Sequence, residues 1–128
     1  MACNLTLRID LDSPVPAYRQ IVDGLRILLV NGQLTPGSEL PSVRRMALDL
    51  GVHFNTVAEA YRLLAEEGWL ELRHGRGATV VNRNTPAASA AQVADFRRRL
   101  RALTAEALAK GGPAAKLRHE LRNLADEL

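Results

Sequence analysis

The sequence predicts a mainly α-helical protein with a small β hairpin: a helical N-terminal domain closed by that hairpin, then a two-helix C-terminal tail. Three observations predict this. Apolar residues recur at three- and four-residue spacing in five separate segments, as they do on the buried stripe of a helix. Two short β-type runs, Trp69–Arg73 and Ala78–Val81, flank His74-Gly75-Arg76-Gly77, whose glycines give the backbone freedom of a tight hairpin tip. A polar, small-residue stretch over 82–91 with Pro86 then separates the last two helical segments from the rest. The resulting organisation is a domain over 1–81, a linker over 82–91 and a helical tail over 92–128.

The elements follow in order. Leu5, Leu7, Ile9 and Leu11 alternate with polar residues, the period of a half-buried strand, and Ser13-Pro14-Val15-Pro16 ends it. From Ala17 a helix carries the stripe Tyr18, Ile21, Val22, Leu25, Leu28 and Leu29, and Asn31-Gly32 stops it. Thr35-Pro36-Gly37 is a loop. Ser42 is suited to cap a second helix with Val43, Met46, Ala47 and Leu50 inward, broken at Gly51. A third helix starts around Asn55 with Val57, Ala60, Tyr61 and Leu64 inward, and ends at Gly68. In the tail, Phe96, Leu100, Leu103 and Ala107 form one stripe. After Gly111-Gly112-Pro113, Leu117, Leu121, Leu124 and Leu128 form another. Two such helices cannot bury their stripes alone, so Phe96, Leu100, Leu103, Leu117, Leu121 and Leu124 are expected to pair with a second copy of the chain.

Composition narrows the function. With 47% apolar and 24% charged residues over 128 positions, the chain is an ordinary globular sequence. It has no apolar run of membrane-spanning length and no basic-then-apolar export segment at its amino end, so a cytoplasmic location is expected. The single Cys3 has no disulfide partner within the chain. His53, His74 and His119 lack metal-ligand spacing and no Ser or Cys sits in a nucleophile motif, so neither metal, cofactor nor catalysis is expected. Net charge is +3, but it is unevenly placed. Residues 1–81 hold 8 Arg against 9 acids, a net −1, while 82–128 hold 9 Lys or Arg against 5 acids, a net +4. Bulk charge therefore does not make the front half a nucleic-acid binder, and the positions of its arginines must carry that reading.

Those positions do. Burying 57, 60, 61 and 64 turns Asn55, Glu59 and Arg62 of the third helix outward, with Thr56 beside them. Asn pairs with adenine, Glu accepts from cytosine N4, and Thr bonds a phosphate or touches a thymine methyl. An alternative is that Asn55 or Thr56 caps the helix and Glu59 pairs with Arg62. Arg44 and Arg45 lie near the amino end of the second helix, where guanidinium and free backbone N–H groups together suit phosphate. At the hairpin tip Arg73, His74, Gly75 and Arg76 combine basic groups with a close-approaching backbone. The arrangement is a winged helix-turn-helix, one helix and one basic loop presented to adjacent features of a DNA duplex.

Pro41-Ser42-Val43-Arg44, Gly51-Val52, Asn55-Thr56-Val57, Ala60-Tyr61, Glu67-Gly68 and Arg73 through Gly77 resemble the GntR family of winged-helix regulators, and Pro14 through Ile21 resembles the family's entry to its first helix. The short two-helix tail is similar to the YtrA-type subfamily. The resemblance implies a homodimeric DNA-binding regulator, usually a repressor, on a palindromic operator. It implies DNA contact by Arg44, Asn55, Thr56, His74 and Gly75. Phe54 and Ala58 stand where larger relatives place contacting arginines, and Arg45 stands where an acid is common, so operator sequence does not carry over. The sequence assigns no small-molecule effector. The competing readings are a nonspecific architectural DNA binder and a truncated regulator lacking a larger effector domain. Asn55 and Glu59 separate the first of these from a sequence reader, since nonspecific binders favour Lys and Arg there.

Overall fold

In a computed structural model, residues 7–74, 77–83 and 87–128 are described. Helices α1 (Ala17–Val30), α2 (Val43–Leu50) and α3 (Phe54–Glu66) are interleaved with strands β1 (Glu39–Leu40), β2 (Leu70–Arg73) and β3 (Gly77–Val80), and α4 (Ala90–Ala109) and α5 (Ala114–Glu127) follow. The strands form one antiparallel sheet in the order β1-β3-β2. The chain divides after Arg83 into two compact units.

In the first unit α3 is the central element, packed against α1, α2 and β2. Its inward residues Val57, Ala60, Tyr61 and Leu64 meet Ile21, Val22, Leu25 and Leu29 of α1, Met46 and Ala47 of α2, and Leu70, Ala78 and Val80 of the sheet in one buried cluster. Each fully buried aliphatic or aromatic side chain contributes about 1.5–3 kcal/mol by leaving water. Tyr61 is the largest of these, and its hydroxyl donates to the Pro41 carbonyl at 2.8 Å, tying α3 to the entry of α2. Burial pushes the Tyr61 phenol well above its ordinary pKa. The folded state thus resists its ionisation while the unfolded chain ionises near pH 10, so this contribution is complete below about pH 10 and is lost as pH rises above it. Tyr61→Phe is expected to lower stability by about 1–2 kcal/mol at neutral pH, leaving the Pro41 carbonyl unpaired, and to remove that alkaline loss. Thermal melts between pH 7 and 11 measure both effects.

At the far end of α3, Glu67 accepts two hydrogen bonds from Arg26 Nη2, both at 2.7 Å, which join α1 to the C-terminus of α3. Arg83 Nε donates to the Glu67 carbonyl at 2.9 Å and its guanidinium lies 4.6 Å from the centre of the Trp69 ring. Helix α3 is thus tied to α1 and to Arg83 at its C-terminal end.

Two expectations are corrected, and one strand was not foreseen. The strand expected through Leu7, Ile9 and Leu11 does not form, and Leu5 lies outside the described residues. The side chain of Gln20 accepts from Asp10 N–H at 2.8 Å and donates to the Asp10 carbonyl at 2.8 Å, so a side-chain amide supplies what a neighbouring strand would have supplied. Leu7 and Ile9 still pack on the core, Leu7 lying over Gly24, where α1 has no side chain to stop it. Strand β1 was not anticipated: Glu39 pairs with Thr79 and Leu40 with Ala78, a two-residue pairing too short to leave a period. In the tail, α4 begins at Ala90, within the stretch expected to be linker, because Ser89 and Gln92 form a reciprocal capping box.

The tail helices are otherwise held by local pairs: Arg98 to Asp95, and Lys110 to Glu106 at 2.8 Å. No residue of α4 or α5 is buried. Phe96 is 63% and Leu103 64% exposed, and Leu121 and Leu124 are also exposed, while Leu100 and Leu117 are half-buried.

Candidate nucleic-acid interface

Helix α2 starts where Ser42 Oγ accepts from Arg45 N–H at 3.2 Å, and it ends at Gly51 in the left-handed conformation. Val52 N–H reaches back to the Ala47 carbonyl at 3.1 Å, so the chain turns within three residues and α3 begins at Phe54. The cap of α3 is His53, whose Nδ1 accepts from Asn55 N–H at 3.1 Å. This overturns the alternative in which Asn55 or Thr56 caps the helix with its side chain. The imidazole does that, and the Asn55 amide projects from the first turn with no cap to serve.

The pairing of Glu59 with Arg62 is also absent among the described residues; neither side chain forms an ion pair. Asn55, Glu59 and Arg62 are all exposed on α3, with Thr56 half-buried beside them. No acidic residue occupies the first turn of α2 or α3, so no carboxylate within either first turn offsets the positive end of its dipole.

Between α3 and the hairpin of β2 and β3 runs a groove of about 760 Å³. It brings together Arg44, Arg62, Arg73 and His74, drawn from α2, α3, β2 and the turn after it. None of the three arginines pairs with an acid among the described residues. Its walls also include Phe54, Ala58 and Leu72, which are apolar. Arg45 is exposed but outside the groove and pairs with Asp49 at 3.4 Å, a surface pair one turn apart that water and salt compete with readily. Asn55, Thr56 and Glu59 are likewise not among the groove's walls and lie on the adjoining face of α3. Gly75 and Arg76 lie outside the described residues.

Two side chains of this surface were not among the residues expected to act there. Phe54 is 51% exposed, and its ring is stacked on His53 with centroids 4.6 Å apart. Leu72 is exposed on β2. The signal for Phe54 was present: an aromatic residue outside the stripe formed by 57, 60, 61 and 64 has no place in the core.

The profile described as "Bacterial regulatory proteins, gntR family" matches residues 17–80, which is half of the chain and includes every element of this surface. The chain is 40% identical over 78 residues to the HTH-type transcriptional repressor YtrA of Bacillus subtilis, covering 61% of this chain and 59% of that one. It spans only 15% of another relative, the probable rhizopine catabolism regulatory protein MocR of Rhizobium meliloti, at 45% identity over 74 residues. Among solved structures, YtrA from Sulfolobus acidocaldarius, a GntR-family transcription factor, superimposes with a TM-score of 0.57 at 36% identity over 80% of this chain and 97% of that one. A transcriptional antiterminator from Listeria monocytogenes superimposes with a TM-score of 0.68 at 29% identity, over 97% of this chain and 90% of that chain.

Proposed function

This chain belongs to the GntR family of DNA-binding transcription regulators, and from that premise we propose that it is a homodimeric repressor reading a palindromic operator. The observation that carries the reading is the groove in which Arg44, Arg62 and Arg73 stand without acid partners among the described residues, beside a helix whose Asn55 and Glu59 side chains are unpaired among those same residues. Phosphates lie along the rims of the groove, positioned by Arg44, Arg73 and His74, with Arg45 outside it. The amino end of α3 enters the major groove, where Asn55 and Glu59 read base edges, Thr56 meets a phosphate or a base, and Arg62 holds the far strand or a guanine. The wing tip, with Gly75 and Arg76, meets the neighbouring backbone or minor groove.

Pairing of two tails through the exposed stripes of α4 and α5 sets the two recognition helices on the order of 34 Å apart, one turn of the duplex. Repression follows from occupying a promoter that polymerase needs.

The test compares binding to the gene's own upstream DNA with binding to scrambled duplex of the same composition. Arg44→Ala is expected to weaken binding about tenfold on every duplex and to lower the salt dependence, because one phosphate contact per protomer is gone. Glu59→Ala is expected to change which sequences are preferred, by about 1–3 kcal/mol at one base pair of each half-site. Equal affinity of the unaltered protein for both duplexes favours a nonspecific architectural binder. A uniform loss for Glu59→Ala removes its reading role.

A further inference from the structure

We propose that Phe54 and Ala58 form a strip on the recognition helix that reads the C5 methyl group of thymine. The inference rests on the DNA-binding reading above and names a chemical group that the same surface recognises. Phe54 is the first residue of α3, half of it is in solvent, and it is a large apolar ring. Its orientation is set before any ligand arrives. The ring stacks on His53 with planes 28° apart, and His53 is fixed in turn by the hydrogen bond it accepts from Asn55 N–H. Ala58 lies one helical turn further along the same side of α3, and both residues line the groove that Arg44, Arg62 and Arg73 border.

An apolar strip among unpaired cations fits an occupant that is anionic at its edges and apolar at one point within. The major groove of DNA is such an occupant: phosphates form its rims, and the thymine methyl is the apolar group that its base edges present. Asn55 and Glu59, on the adjoining face, supply hydrogen bonds. Phe54 and Ala58 supply a contact that distinguishes thymine from cytosine without one. The occupant is committed by the charge on both sides of the strip, since a purely apolar partner leaves three guanidinium groups facing nothing.

The experiment uses the full chain and a duplex that it enriches from a random pool. Each thymine of that duplex is replaced singly by uracil, which removes the methyl and keeps the base pair. The unaltered protein is expected to lose roughly threefold to fivefold in affinity at one or more positions in each half-site, the effect of uncovering about one methyl-sized group. Phe54→Ala is expected to bind the thymine and uracil duplexes equally, and Phe54→Leu, which keeps an apolar contact, to retain most of the difference. An enriched duplex whose affinity is indifferent to every uracil overturns the proposal while leaving sequence-specific binding intact. So does a Phe54→Ala variant that still discriminates. Failure to enrich any sequence removes the sequence-reading premise and this inference with it.

Discussion

Gly77→Val is expected to destabilise the N-terminal unit by roughly 3–5 kcal/mol and to abolish DNA binding. Gly77 opens β3 with φ +84°, a conformation that costs a β-branched residue strain on its own. Space makes the substitution worse. A Cβ there meets the Leu40 carbonyl oxygen at 2.6 Å and that of Pro41 at 2.8 Å, both backbone atoms that cannot rotate aside. Those atoms belong to the segment that pairs with β3 and that also accepts the Tyr61 hydroxyl, so relieving the clash disturbs the sheet and the entry to α2 together. Gly32 supplies the control. Its φ is +83°, but nothing lies within 4 Å of its absent Cβ. Gly32→Ala is therefore expected to show the backbone term alone, about 1 kcal/mol. Urea unfolding of the two variants, followed by the Trp69 fluorescence, separates the terms. Similar losses for both would mean that close packing of the wing against Leu40 and Pro41 contributes nothing.

Leu121→Glu is expected to halve the mass of the protein in solution and to reduce operator affinity by about a hundredfold or more. Under the proposed pairing two winged units act on one duplex, and linking two binding events raises apparent affinity by about 10²–10⁴ over one alone. A carboxylate placed in the stripe of Leu117, Leu121 and Leu124 has no partner in a leucine interface and keeps its water only if the copies separate. The melting of the winged unit, whose core includes no residue of α4 or α5, is expected to stay the same. Light scattering and a gel-shift titration measure the two effects. An unchanged mass would remove α5 from the assembly.

The five helices were legible because each buries or exposes one stripe, and periodicity reports that directly. The stripe of 57, 60, 61 and 64 placed α3 correctly and thereby turned Asn55, Glu59 and Arg62 outward, as the structure has them. Periodicity does not report partners. The alternation of Leu7, Ile9 and Leu11 was read as a strand, yet Leu7 and Ile9 pack on α1 without one, because the Gln20 amide meets the backbone of Asp10. A cap for α3 was offered only as an alternative role for Asn55 or Thr56, and His53 fills it instead: imidazole is an uncommon cap, and only coordinates show its Nδ1 on the Asn55 N–H. The cations of the groove were legible as one DNA-facing set, but its shape and its apolar walls Phe54 and Leu72 were not. Its arginines come from positions 44, 62 and 73, and their convergence depends on how α2, α3 and β2 fold together.

The absence of any buried residue in α4 and α5 has a consequence for how the protein works in a cell. Helices of 20 and 14 residues gain little from their own hydrogen bonds in water, so under the proposed pairing their order comes from association and follows mass action. Diluting the protein would then melt the tail while the winged unit stays folded. Where free monomer predominates, promoter occupancy would follow the square of copy number, and a modest fall in expression would release the promoter without any inducer.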